Sequence, residues 1–189
     1  MPLSPLNPFD VTCIDDKTVA VTTVYENTIV IVDTKNKQIT NAIKTGACRV
    51  GKGIVAIQLP NNKVITVVED NNIKSYQIYI TTSGENIYYT GNSFIVKCYS
   101  VKGEKRWEYK DESILSGLTG IAVDQNGIVY VISNTTSNRS VVLISSDGKY
   151  GRELLTEQNG ITNSFGINVR SNNLNVVSYN GNVLQFNIK

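Results

Sequence analysis

The sequence predicts an all-β chain assembled from repeated four-stranded antiparallel sheets. Three observations carry that expectation. β-Branched and aromatic residues recur in short runs without a sustained 3.6-residue period, which argues against helices. Turn signals separate the runs, clearest at Asp124–Gln125–Asn126–Gly127 and Ser146–Asp147–Gly148–Lys149. There, Gly after Asn or Asp supplies the positive φ of a tight hairpin. The third observation is that the runs repeat at a fixed spacing.

Five apolar strands begin at Ile29, Ile54, Ile95, Val141 and Val183, so their starts lie 25, 41, 46 and 42 residues apart. Three of these intervals fall in the range of about 40–50 residues expected of propeller blades, and the first is short by nearly half a repeat. A second set of strands, beginning at Val19, Ile87, Val129 and Leu174, skips the same place, with intervals of 68, 42 and 45 residues. One unit has therefore lost a piece between Ile43 and Ile54. The expected fold is a β-propeller in the form of an incomplete, open arc of about four to five four-stranded blades.

In chain order, residues 1–9 form a proline-rich lead-in and residues 10–189 the propeller. The first blade, 10–45, holds Val19–Thr22, Ile29–Asp33 and an outer strand Gln38–Ile43 that mixes polar with apolar residues. The second, 46–73, is truncated and keeps only its third and fourth strands. The third, 76–113, holds Ile87–Thr90, Ile95–Tyr99 and the mixed outer strand Lys105–Tyr109. The fourth, 117–157, is the clearest copy, with Thr119–Val123, Val129–Ser133, Val141–Ser145 and Arg152–Leu155. The fifth, 161–189, stops without a fourth strand. Strands near the axis are expected to be apolar on both faces and outer strands to alternate. Pro2, Pro5 and Pro8 cannot donate ladder hydrogen bonds, so a lead-in strand is a poor candidate to close a ring.

Composition excludes several functions. Without histidine, neither a Ser–His–Asp nor a Cys–His engine nor the usual zinc site is expected. Cys13, Cys48 and Cys98 are odd in number and lack a CxxC pair, so they read as free or buried thiols of a reducing compartment. No secretion signal is recognised at the N-terminus, and no apolar run approaches the roughly 18 residues of a membrane span. A cytoplasmic location is expected, with no membrane. The net charge of +2 is too weak to imply nucleic acid by itself. The glycosylation sequons at Asn134 and Asn138 read as polar loop residues.

The motifs favour scaffold over chemistry. Asp124 and Gly127 serve their turn. Asp15–Asp16 and Asp111–Glu112 lack the spacing of a calcium loop, so no metal site is expected. No nucleophile elbow or phosphate-cradling loop is present. Gly103–Glu–Lys–Arg–Trp107 resembles the Gly-x-x-x-Trp signature of quinoprotein-like blades, which implies an indole docking neighbouring blades; packing is the expected role of Trp107, and no cofactor is expected.

The strings GIAVDQNGIVYV (Gly120 to Val131) and VVLISSDGKYGRELLT (Val141 to Thr156) resemble the NHL-repeat β-propellers. They look especially like the C-terminal propellers of the tripartite-motif proteins of bivalve molluscs. PFDVTCIDDKTVAVTTV (Pro8 to Val24), YITTSGENIYYT (Tyr79 to Thr90) and GEKRWEYKDES (Gly103 to Ser113) fit the same group, and the likeness extends from about Pro8 to Lys189. The resemblance implies a six-bladed family fold. It also implies a substrate-recognition or partner-recognition role, without the ubiquitin-ligase activity of the RING and B-box modules, whose cysteines and histidines are missing here.

The expectation is therefore a non-catalytic interaction module with a protein partner. One face should be formed by loops joining second to third strands and by loops linking consecutive blades. On it, Tyr25, Asn27, Arg49, Asn92, Asn134, Arg139 and Tyr179 are the candidate partner-binding residues, because Tyr and Arg anchors among adaptable polar groups suit recognition. RNA binding through a basic face is the alternative, and a metal-dependent hydrolase of lactonase type is a third reading. The inner strands, mainly Val, Ile and Tyr, carry little of the acidic and amide lining that this third reading requires.

Overall fold

The computed structural model describes residues 8–15, 17–23, 28–44, 53–58, 63–70, 78–91, 94–135 and 139–188. Among them are seventeen strands and a single 3₁₀ turn. Strands β1 (Pro8–Asp15), β2 (Thr18–Thr23), β3 (Thr28–Asp33) and β4 (Gln38–Lys44) form the first sheet. β5 (Gly53–Gln58) and β6 (Lys63–Glu69) form a two-stranded second sheet. The third contains β7 (Ile80–Ser83), β8 (Asn86–Gly91), β9 (Ile95–Ser100) and β10 (Lys105–Lys110). The fourth contains β11 (Leu118–Val123), β12 (Val129–Asn134), β13 (Arg139–Ile144) and β14 (Gly151–Leu155). The fifth has three strands, β15 (Ser164–Arg170), β16 (Asn173–Ser178) and β17 (Val183–Asn187). Every sheet is an antiparallel meander in chain order, and β1 begins at Pro8, inside the expected lead-in. Proline is tolerated there because the first residue of a strand need not donate to the ladder.

The sheets stack through repeated contacts. Trp107 on β10 donates its indole N–H to the Ser146 carbonyl at 2.9 Å. It also lies over Gly148 (φ 68°), where a Cβ would stand 2.5 Å from the ring. One sheet earlier, Gly103 (φ 87°), in the turn between β9 and β10, lies against the Val67 carbonyl of β6. Val67 therefore holds the place relative to the third sheet that Trp107 holds relative to the fourth. This places β6 as an outermost strand and β5 as its third-strand neighbour, and among the described residues the second sheet has no inner hairpin.

Burial is deepest on the second and third strands. β8 and β12 are almost wholly buried, and the outermost β10 alternates, as expected. The innermost β7 differs from expectation: it is half open, and Ile80 is exposed. An innermost strand has no strand beyond it toward the axis, so its inner edge and alternate side chains meet solvent. One apolar core lies between the third and fourth sheets, around Tyr88, Cys98, Val129, Val131 and Ile144. A second lies between the fourth and fifth, around Tyr130, Ile132, Val141, Leu174 and Val176.

At the junction of the second and third sheets the chemistry changes. Val131 and Val142 of the fourth sheet face the third, and Val176 and Leu184 of the fifth face the fourth. The matching positions on the third sheet are Tyr89 and Lys97, cross-strand partners on β8 and β9. Lys97 Nζ lies 2.5 Å from Asp70 Oδ2, with the two side chains only 7% and 6% exposed. Tyr89 Oη donates to the same carboxylate oxygen at 2.8 Å, and burial, then the bond to Asp70, pushes its pKa up. A buried charged pair is tolerated when hydrogen bonds complete it.

In the third, fourth and fifth sheets a hydroxyl near the end of the second strand ties the sheet to the segment entering it. Thr90 Oγ1 accepts from Tyr79 N–H, and Ser133 Oγ accepts from Ser116 N–H and donates to Ser116 O. Ser178 Oγ meets Thr162 Oγ1 and Ser164 Oγ, each at 3.1 Å. All three residues are buried, and these bonds satisfy linker groups that burial would otherwise leave unpaired.

The fifth sheet alternates instead of being buried throughout. Its apolar side, with Ile167, Leu174, Val176, Leu184 and Phe186, packs on the fourth sheet. Its other side presents Asn168, Asn173, Gln185 and Asn187 to solvent, together with the 63% exposed Val183 and beside the half-buried Asn175 and Val177.

Candidate recognition face

At the end of β12, Asn134 pairs across the ladder with Arg139 at the start of β13. The Asn134 amide Nδ2 donates to Asn163 Oδ1 at 2.9 Å and to Ser164 O at 3.1 Å. The Asn163 carbonyl in turn accepts from the Tyr179 backbone N–H at 2.9 Å, just past the end of β16. Asn163 thus joins two residues that the sequence marked separately. The Tyr179 ring is 66% exposed and Phe165 40%. Their centroids lie 4.6 Å apart at 40°, within the range of favourable aromatic pairing. Phe165 is swung outward by a register shift in β15 between Ser164 and Gly166.

Arg139 Nη1 donates to Glu157 Oε1 at 3.2 Å, and its Nε is buried without a hydrogen-bond partner in the protein. Glu157 opens the 3₁₀ turn Glu157–Asn159, which is fixed by a reciprocal cap between Thr156 and Asn159 and ends at Gly160 (φ 87°). The face therefore places an exposed aromatic pair beside a surface ion pair, on a frame of short amide hydrogen bonds. Such a surface can bury apolar area and donate or accept hydrogen bonds; it presents no nucleophile with a base.

Of the sequence-marked residues, Asn134, Arg139 and Tyr179 come together here. Tyr25, Asn27, Arg49 and Asn92 lie outside the described residues. Asn134 is a frame residue, since both its side-chain bonds are to the neighbouring linker. Asn163 and Phe165 lie in the segment Asn159 to Phe165 that the sequence places on this loop face, though neither is marked there as a contact residue. The pattern Ser-Phe-Gly-Ile-Asn-Val-Arg carries the one available signal, an aromatic set next to a glycine where the alternation breaks.

Elsewhere the carboxylates hold turns. Asp124 Oδ1 accepts from the N–H groups of Asn126 and Ile128. Asp111 is held below the usual carboxylate range by Ser113, and Asp147 by Ser145. Among the described residues, no three acidic or cysteine side chains converge as metal ligands would. A cleft of about 370 Å³ between the turns of the fourth and fifth sheets is lined by Asp124, Asn126, Tyr130, Ser171, Asn172 and Ile188 among others. No described helix is long and apolar enough to cross a membrane.

The stacked meanders define a class: the chain is a partial β-propeller. BamB from Moraxella catarrhalis is similar at 18% identity and a TM-score of 0.62, over 95% of this chain and 57% of that one. Hydrazine synthase from Kuenenia stuttgartiensis is similar at 13% identity and a TM-score of 0.61, over 98% and 68%. A quinonprotein alcohol dehydrogenase-like protein from Bacteroides thetaiotaomicron matches at 14% and 0.60, over 96% and 50%. The chain thus spans between half and about two-thirds of these three structures. No family model matches it, and neither does any curated protein sequence. At these identities the likeness establishes fold alone, and one fold hosts many functions.

Proposed function

We propose that the chain is a non-catalytic, cytoplasmic interaction module that recognises a protein partner, of the kind found at the C-terminal end of tripartite-motif proteins with NHL repeats. The observation that carries this reading is the exposed Phe165–Tyr179 pair beside Arg139–Glu157. Exposed aromatics flanked by arginine on a rigid frame are the composition of binding hot spots. The resemblance of Gly120–Val131 and Val141–Thr156 to NHL repeats supports the family assignment. The RNA alternative has less to rest on, because Arg139, the basic member of the described face, is already paired with Glu157.

The test is affinity capture with quantitative mass spectrometry, comparing the native chain with Tyr179→Ala combined with Phe165→Ser. Loss of a hot-spot pair should reduce partner affinity at least about 30-fold, the equivalent of about 2 kcal/mol. Thermal melting should change little, since both rings are exposed. Partners retained undiminished by the double variant would refute this face. Bound RNA whose retention falls steeply with salt would favour the alternative.

A further inference from the structure

Three Asn–Gly steps occur in the chain, at Asn126, Asn159 and Asn180, and all three sit in the same kind of turn. In each the glycine has a positive φ, 79° at Gly127, 87° at Gly160 and 84° at Gly181. In each its N–H donates to the carbonyl three residues back: Gly127 to Asp124 at 3.1 Å, Gly160 to Glu157 at 3.0 Å and Gly181 to Ser178 at 2.9 Å. All three asparagines are exposed. Two of the turns share the tetrapeptide Gln-Asn-Gly-Ile, at 125–128 and 158–161. Backbone and solvent access are thus matched, and between two of them so is the local sequence. The side-chain amides differ.

Asn159 Oδ1 accepts from Thr156 N–H at 3.0 Å, as half of the reciprocal cap. Asn180 Oδ1 accepts from Asn182 N–H at 3.2 Å. The corresponding donor in the β11–β12 turn, Ile128 N–H, is taken by Asp124 Oδ1 at 2.9 Å, and the same oxygen takes Asn126 N–H at 2.8 Å. Among the described residues nothing holds the Asn126 side-chain amide. Asp124 fastens this turn by itself and leaves Asn126 loose.

We propose that Asn126 is a site of spontaneous covalent modification, the Asn–Gly step of the three that deamidates first in the folded chain. The Gly127 amide nitrogen loses its proton to hydroxide and attacks Cγ of Asn126. The Cγ–Nδ2 bond breaks, and the nitrogen leaves as ammonia with a proton from water. Water then opens the five-membered succinimide at either carbonyl, giving aspartate or isoaspartate, with no change of oxidation state. Glycine permits the ring because no Cβ crowds the attacking nitrogen. At all three steps the glycine N–H must first leave its carbonyl, so that cost cancels. At Asn159 and Asn180 the side chain must also leave its own donor, which slows attack by about two- to tenfold, the worth of one neutral hydrogen bond. Either product sets a carboxylate beside Asp124 on the rim of the cleft that both residues line. Isoaspartate also lengthens the main chain of the turn by one carbon. The turn lies at the other end of β12 from Asn134, so the recognition face is untouched.

The experiment is incubation of the full chain at mildly alkaline pH, followed by peptide mapping with a mass-spectrometric fragmentation that distinguishes isoaspartate. Conversion at Asn126 is expected to outpace that at Asn159 and at Asn180 by about two- to tenfold. In concentrated urea the ranking should vanish, with Asn126 and Asn159 converting at equal rates because their neighbours are the same. Asn126→Ser should abolish the fast phase of ammonia release and leave the other two rates unchanged. Native conversion led by Asn159 or Asn180, equal native rates at the three steps, or a preference for Asn126 that survives unfolding would overturn the proposal.

Discussion

Lys97 occupies a position filled by valine in the next sheet and leucine in the one after, and its charge sets the most sensitive residue-scale balance in the chain. Lys97→Met leaves Asp70 buried without its cation and is expected to destabilise by about 3–5 kcal/mol. Combining it with Asp70→Leu removes both charges and should recover most of that loss, measured by urea denaturation. Titration supplies a second expectation. Burial pushes the Cys98 thiol up to about 11 from its ordinary 9.0 and raises the phenols of Tyr88, Tyr89 and Tyr130 above 10. Groups whose pKa is raised by folding stabilise the fold below their unfolded values and lose that contribution as pH climbs toward the folded ones. Denaturation midpoints should therefore hold from neutrality to about pH 9 and fall above it, with Cys98 resisting alkylation in the native state at pH 8. A flat profile through pH 10.5 would contradict this. The sequence did not announce Lys97 or Asp70 as partners: the residues lie 27 apart, and no local pattern pairs them.

At the scale of elements, strands were legible because their causes are local. The Asn126–Gly127 and Asp147–Gly148 turns and the apolar runs between them specify hairpins without reference to the rest of the chain. The strands β5 and β6 recur where the spacing sets a third and a fourth strand. Contacts between elements were less so. Trp107 was expected to dock neighbouring blades, but its seat on Gly148 depends on how two sheets approach. Gly148→Ala would place a Cβ into the indole while forcing a positive φ on an L-residue. A cost of about 2 kcal/mol is expected, seen as a melting temperature lowered by about 4–8 °C. The outward swing of Phe165 was hidden for a similar reason, because a register shift in β15 follows from pairing with β16.

At the scale of the whole molecule, apolar cores join the third, fourth and fifth sheets, whereas a charged contact joins the second to the third. Stacked units whose interfaces differ in strength do not unfold as one. Hydrogen exchange should find β11, β12 and β13 most protected and β5 and β6 opening first, and calorimetric enthalpy should exceed the van't Hoff value. Equal protection across all five sheets would exclude this hierarchy.

The hydroxyls of Thr90, Ser133 and Ser178 give the array its tolerance for damage. The third, fourth and fifth sheets each carry their own stitch to the segment that feeds them, so a hairpin missing from another sheet cuts no thread they use. A string of such sheets can shed half a motif without loosening the fastenings of the others.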